Sequence, residues 1–271
     1  VNLSVPPDLS DTTASAWFDR LADRLLKATR LHIHGQRYRL TEVEVYYHSA
    51  AHPDPYAHRN PIQRHTGRWY FHRTGGQYRG GSFKGLDVTF GDGVAHGGIL
   101  FRGMEKPDGS VVDGPSLLVD ELLNATRFRT VATLDAALGE RLAWDTDSPM
   151  SLVPWEGEPQ PVWKSIRVGL SLKRFPFHPE DPAIRFLFRH YRYLTEPRRT
   201  KKGKPHLVLP LLADGMSAEK IHRITGCPLA TVQRYATEFA AGRGEVHPEP
   251  YYGIDLGTKE LCRLYGLRQR G

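Results

Sequence analysis

Valines alternate with acids and an aromatic along Thr41-Glu42-Val43-Glu44-Val45-Tyr46-Tyr47. A period of two predicts a β-strand, with Val43 and Val45 towards a core and Glu42, Glu44 and Tyr46 on the opposite face. Glu44 and Tyr46 then lie roughly 6.6 Å apart along one face. Taken alone, the segment is also what an ordinary half-exposed strand looks like. Upstream, Trp17, Leu21 and Leu25 recur every four residues, and Phe18, Ala22 and Leu26 widen the stripe. That spacing predicts an amphipathic helix over 11–29, capped by Asp11 or Thr13. Residues 31–34 and a turn at Gly35-Gln36 lead into the Glu44 strand. Ile99-Leu100-Phe101-Arg102 reads as a short buried strand ending in a cation. Asp113-Gly114-Pro115-Ser116 has the cap and proline of a helix start, running to Asn124. Residues 48–82 are rich in His, Pro, Gly and Arg and predict a long loop, of the kind that is usually functional. Residues 139–163 also read as loop, and 165–172 and 183–188 as two further strands.

Beyond residue 205 the pattern changes to three short helices, over 207–214, 217–225 and 229–241. Gly215 separates the first pair, and Gly226-Cys227-Pro228 separates the second. Short helices joined by glycine-containing turns are the pattern of a helix-turn-helix. Thr231, Gln233 and Arg234 would then lie in the first turns of the recognition helix, where base edges are reached. A bundle that packs on the main domain has the same pattern. A last helix is expected over 251–267, containing Leu256, Leu261 and Leu264.

Charge sharpens the second half. The formal net charge is +7 and the sequence pI about 9.4, with a dense run at 197–205 that contains Arg198, Arg199, Lys201, Lys202 and Lys204. Such a run fits a phosphate backbone, with salt-sensitive affinity, or a solvated linker. Cys227 and Cys262 have no CxxC spacing, which fits a reducing compartment. Residues 1–11 lack the regions of a signal peptide, and no window approaches a membrane span. The expectation is a protein that is not secreted, cytoplasmic (nucleoid-associated) or nuclear, and a monomer. His32-x-His34 lacks the further ligands of a zinc site, so no metal or cofactor is expected.

The order of these segments carries a resemblance. Glu42-Val43-Glu44-Val45-Tyr46 resembles the Glu-Thr-Glu-Ala-Tyr motif of the alkyladenine (3-methylpurine) DNA glycosylase family. Asp54-Pro55-Tyr56-Ala57-His58, 99–107, 113–118, Arg167-Val168-Gly169 and 183–186 are similar to later motifs of that family, in the same order. The resemblance covers about residues 20–192. It implies an α+β fold: a mixed, mostly antiparallel curved sheet with flanking helices over 1–196, a basic linker at 197–205, and a helix-turn-helix-like module over 206–271.

The activity implied is hydrolysis of the N-glycosidic bond of a flipped-out modified or alkylated base in DNA, expected to be double-stranded. Glu44 would activate the water and Arg102 would orient it. Tyr46 and His58 would hold the base, with Tyr56 and Tyr47 as further members of an aromatic wall. The family's aromatic wedge falls near 78–88, where Phe83 or Lys84 stands. Its purine-screening Asn falls near Thr89-Phe90-Gly91, where there is no Asn. Other readings stay open at several residues. Arg102 could pair with Glu105 or Glu42, and Asp87 could be a second acid or part of a strand-edge salt bridge. The whole chain could also be a non-catalytic DNA-binding or regulatory protein on the same scaffold.

Overall fold

The computed structural model describes residues 3–158, 160–178 and 182–269. Positions 1–2 and 270–271, which the expected domain boundaries include, lie outside the described residues. The chain divides into two compact units. The first is Val1–Trp163 with Tyr193–Thr195, and the second is Lys164–Arg192 with Glu196–Gly271.

The first unit opens with α1 (Ala14–Lys27), β1 (Thr29–Ile33) and β2 (Gln36–Ser49). Then come β3 (His52–Pro53), β4 (Thr66–Phe71), and the small hairpin β5 (Arg73–Thr74) and β6 (Gln77–Tyr78). It continues with β7 (Leu86–Phe90), β8 (His96–Glu105), β9 (Val111–Asp113), α2 (Pro115–Thr126), α3 (Val131–Leu138) and β10 (Ser151–Pro154). The main sheet runs β10-β1-β2-β8-β7-β4, and its pairings are antiparallel. The architecture is therefore mixed α+β around an antiparallel sheet, as the sequence led us to expect.

Strand alternation decides which side chains face the core. On β2, Val43, Val45 and Tyr47 lie opposite Phe101, Ile99 and Gly97 of β8. Tyr47 stacks on Phe90 with ring centroids 5.8 Å apart, and Trp17 of α1 meets Phe90 edge-on at 5.3 Å. Gly97 makes that stack possible, because a Cβ there would lie 2.5 Å from the Phe90 ring. Each fully buried side chain of this size contributes roughly 1.5–3 kcal/mol. The core thus sits between α1 and one face of the sheet, and the other face is left for the polar alternates.

Three expectations fail within this unit, one of them the loop at 139–163, which contains β10. The segment 48–82 is not one loop, because it holds β4 and the β5–β6 hairpin. Trp69, Tyr70 and Phe71 are all buried in β4, and a strand covered on both faces shows no alternation to read. The helix expected at 113 has Gly114 rather than Asp113 as its N-cap residue.

β11 (Trp163–Ser165) and β12 (Arg192–Leu194) lie where the chain crosses between units. The second unit holds α4 (Pro182–Leu187), α5 (Lys204–Ala213), α6 (Ala218–Thr225), α7 (Leu229–Arg243) and α8 (Thr258–Arg268). α5, α6 and α7 match the expected helices closely, whereas α8 begins only at Thr258 and leaves Leu256 outside it. The expected strands do not hold: 166–172 is irregular, and Ala183, Phe186 and Leu187 are the buried face of a helix. An apolar run this short fits both periods, and Pro182 in the first turn favours the helix. This also removes the last expected strand match of the resemblance.

The 197–205 segment is part of this unit rather than a separate linker. The buried Arg192 guanidinium donates to the carbonyls of Lys202 and Gly203, both at 3.1 Å. Arg198 donates to Arg223 O at 2.6 Å, and Lys204 Nζ donates to the carbonyls of Pro197 and Thr225. Cations on the last carbonyls of α6 satisfy its orphan acceptors and oppose its dipole. Ser217 Oγ caps the other end by accepting from Lys220 N, and Gly226 takes the left-handed conformation that ends α6. α8 lies tightly on α7: a Cβ at Gly242 would meet Arg263 O at 1.9 Å, and one at Gly266 would meet Phe239 O at 2.1 Å.

Candidate active site

The face of the sheet opposite α1 carries the residues that the alternation singled out. Glu44 is 0% exposed and pairs across to Leu100, and Tyr46 pairs across to Gly98. The register slips on either side of Glu42, placing it opposite Gly103. Bulges of this kind re-aim side chains, and here the result is a pair of carboxylates on one guanidinium. Arg102 Nε donates to Glu42 Oε1 at 2.6 Å and lies 3.3 Å from Glu44 Oε1. Tyr46 donates its hydroxyl to Glu44 Oε2 at 2.8 Å. Of these partners, Tyr46 is the one with substantial exposure, since Glu42 is 2% and Arg102 5% exposed.

Burial opposes the charge on Arg102, but the carboxylates of Glu44 and Glu42 outweigh it and hold the guanidinium firmly protonated. Glu42 takes the hydrogen bond. Glu105, the other partner considered for Arg102, pairs instead with Arg39 at 2.6 Å. Buried carboxylates must be paired and hydrogen-bonded, and Arg102 and Tyr46 supply part of that here.

Two strands away on the same face lies Asp87, 2% exposed and opposite Leu100 on β8. Its carboxylate meets His72 Nε2 at 2.7 Å and accepts from Gln63 Nε2 at 3.0 Å. It is therefore an internal buried pair rather than a strand-edge one. His58 joins this group: its ring lies 4.2 Å from that of His72, and its Nδ1 is 3.5 Å from the Tyr70 hydroxyl. Burial, then the neighbouring His72 and Arg79 charges, push the His58 imidazole down to about 4, so it is neutral at ordinary pH. Tyr56 lies in the turn after β3, where its N–H donates to Asp54 Oδ1 at 3.0 Å, and Tyr47 belongs to the α1 core rather than to this face.

Phe83 and Lys84 part company. Phe83 stands 73% exposed on a short 3-10 turn, whereas Lys84 Nζ is held 2.6 Å from Asp120 on α2. The projecting group is the aromatic one. A separate surface cleft of about 610 Å³ is lined by Asp120, Asn124, Arg127 and Arg129, and Glu44 is not part of it.

No protein-family model matches the chain. It is similar to an uncharacterized protein of Acanthamoeba polyphaga mimivirus, at 30% identity over 217 residues. The match spans 74% of this chain and 95% of the viral protein. The chain belongs to the family of that protein. The family membership covers both chains broadly and adds no chemistry of its own, so the functional reading rests on the site.

In the second unit, Gln233 and Arg234 are exposed on α7 and Thr231 is half-buried. Leu229 and Ala230 are exposed at the same end. Arg199, Lys201 and Lys202 are exposed in the 197–205 segment, as is Arg198 despite its bond to Arg223 O. Among the described residues, no helix is long and apolar enough to cross a membrane, and no group of three His, Cys, Asp or Glu is placed to hold a metal. Sequence reasoning missed His72 and Gln63. The signal available for them was only the density of polar residues in a segment without periodicity.

Proposed function

We propose that this protein is a monofunctional DNA N-glycosylase acting on a flipped-out modified or alkylated base. One observation carries the reading: Glu44 is wholly buried on the polar face of the sheet, accepts a hydrogen bond from Tyr46, and lies 3.3 Å from the Arg102 guanidinium. Breaking an N-glycosidic bond moves the bonding pair onto the base nitrogen and leaves positive charge on the sugar. The Glu44 carboxylate is the group that meets that charge. Glu44 then takes a proton from the attacking water, whose oxygen closes onto the anomeric carbon. General-base assistance of this kind is worth roughly 10²–10⁴-fold. Arg102 orients the Glu44 carboxylate and, through its remaining N–H groups, the water.

The target cannot be reached inside a duplex, so it must be unstacked and extruded. Phe83 is the side chain placed to fill the gap it leaves, and His58 and Tyr46 receive the base. The duplex partner is supported by the basic 197–205 segment and the exposed start of α7. Association with a chromosome would follow from that substrate.

The α5–α6–α7 arrangement, with its three-residue α6–α7 turn, also favours a second reading. In it the protein is a non-catalytic DNA-binding or regulatory protein that uses α7. A panel of duplexes carrying alkylated, deaminated or naturally modified bases separates the two, with released bases identified by mass spectrometry. Release by the native protein and none by Glu44→Gln supports the enzyme. Tight, sequence-dependent binding with no base released from any duplex supports the regulator.

A further inference from the structure

The sheet face that carries Glu44 does not end at Tyr46. Alternation along β2 puts His48 on the same side, and His96 of β8 stands directly opposite it. Their rings lie 6.5 Å apart. Arg64 closes the 3-10 turn Pro61–Arg64 and donates from Nε to His96 Nε2 at 3.0 Å. Arg59, just before the turn, acts on the same imidazole.

The turn is built to stay where it is. Asn60 N–H donates to Gln63 Oε1, Asn60 Oδ1 accepts from Ile62 N–H, and Gln63 Nε2 goes on to Asp87. Gly91 lets the turn lie on the sheet, since a Cβ there would collide with the Gln63 and Arg64 backbones. Arg59 holds a left-handed φ of 52°, a conformation that costs energy for a residue other than glycine.

Four nitrogen-bearing side chains thus converge, and their positive charge is not answered by an acid. Among the described residues, no carboxylate pairs with Arg59 or Arg64, and both are exposed. Asp92 lies in the loop that meets the Arg64 carbonyl, but its carboxylate accepts from the N–H groups of Val94 and Ala95. His48 donates from Nδ1 to Asp54 O at 3.1 Å, which leaves its Nε2 uncommitted. Burial, then the charges of Arg64, His48 and Arg59, push the His96 imidazole below its ordinary range. A repelling group of this kind is relieved by an anion.

His48 is four residues from Glu44, roughly 13 Å along β2. That is further than a nucleotide's own phosphates lie from its anomeric carbon. Resting on the glycosylase reading of Glu44, we propose that His48, His96, Arg59 and Arg64 form a phosphodiester site. It holds the backbone of the target strand beyond the extruded nucleotide. The guanidinium forks match a phosphate in charge and in geometry, and the imidazoles add single N–H bonds. Such a contact reads no base; it fixes which nucleotide comes to rest over Glu44.

The test uses duplexes in which tetrahydrofuran, an uncleavable abasic analogue, replaces the target nucleotide. One uncharged methylphosphonate linkage is placed at each flanking phosphate in turn, and binding is followed by fluorescence anisotropy across a salt series. For the native protein, one flanking linkage should weaken binding roughly tenfold. Arg64→Gln and Arg59→Gly should each weaken binding of the fully charged duplex and lower its salt slope by about 1. Neither variant should respond further to that linkage. Inorganic phosphate should displace the duplex no better than chloride at equal ionic strength.

An unchanged salt slope in both variants, or a linkage effect that persists in them, overturns the site and leaves the glycosylase reading standing. Saturable displacement by inorganic phosphate makes this a free-phosphate pocket and overturns its assignment to the backbone. No base released from any modified duplex overturns the glycosylase reading, while the loss of the linkage effect in the variants would still establish the phosphate contact. Should Arg64→Gln melt low through loss of its bond to His96, Arg59→Gly decides the matter, because no hydrogen bond of Arg59 is broken.

Discussion

Replacing Glu44 by Gln isolates charge from shape. The side chain keeps its length, and its new amide can turn so that the carbonyl faces Arg102 while the NH₂ donates to the Tyr46 oxygen. Arg102 keeps its 2.6 Å bond to Glu42. The change keeps the volume and the hydrogen-bonding capacity of the side chain, so stability should change by no more than about 1–3 kcal/mol, a few degrees of melting temperature. Duplex binding should be almost unchanged. Base release should fall roughly 10²–10⁴-fold, which is about 3–5 kcal/mol of transition-state stabilisation. The assay is single-turnover release quantified by chromatography, beside fluorescence anisotropy of the same duplex and a thermal melt. Release within tenfold of native, in a variant that binds and melts normally, refutes the reasoning.

The other predictions concern the surroundings of that carboxylate and the second unit. Gly98→Ala drives a methyl into the Asp87 and Gln63 side chains and should cost about 1–3 kcal/mol, read as a lower denaturation midpoint. Unchanged stability would mean that the cluster is loose. His58 stays neutral in the native state down to about 4, while in the unfolded chain it protonates from about 6.5. The unfolded state therefore gains the proton first, and stability is lost as pH falls from 6.5 towards 4, by at most about 3 kcal/mol. His58→Gln should flatten that part of the stability–pH curve, and an unaltered slope would contradict the burial argument. Phe83→Ala should leave stability within about 0.5 kcal/mol, because the ring is 73% exposed. It should slow release from a fully paired duplex more than from a mismatched one, where unstacking costs less; equal slowing would exclude a wedge. Arg234→Ala should weaken duplex binding and reduce its salt slope by about 1, without changing the melting temperature. An unchanged slope would take α7 off the DNA.

Local pattern was enough for whatever depends on neighbours in sequence. The period of two over residues 43–47 assigned Val43 and Val45 to the core and Glu44 and Tyr46 to the other face, because side-chain direction in a strand is a property of the backbone alone. The helices α5–α7 were equally legible, with Gly215, Gly226 and Pro228 marking their ends. Short apolar stretches were ambiguous, which is why α4 read as a strand and β4 disappeared into a loop. Tertiary structure alone decided which charges meet. Glu42 reaches Arg102 only because the register slips beside it, and Arg198 and Lys204 belong to the end of α6 only once the chain has folded back. Asp87, His72 and His58 come from three separate segments, and their distances depend on strand order and on the missing side chain at Gly98. The angstrom-scale placement of charge is non-local, whereas the alternation that aims each residue at one face or the other is written residue by residue.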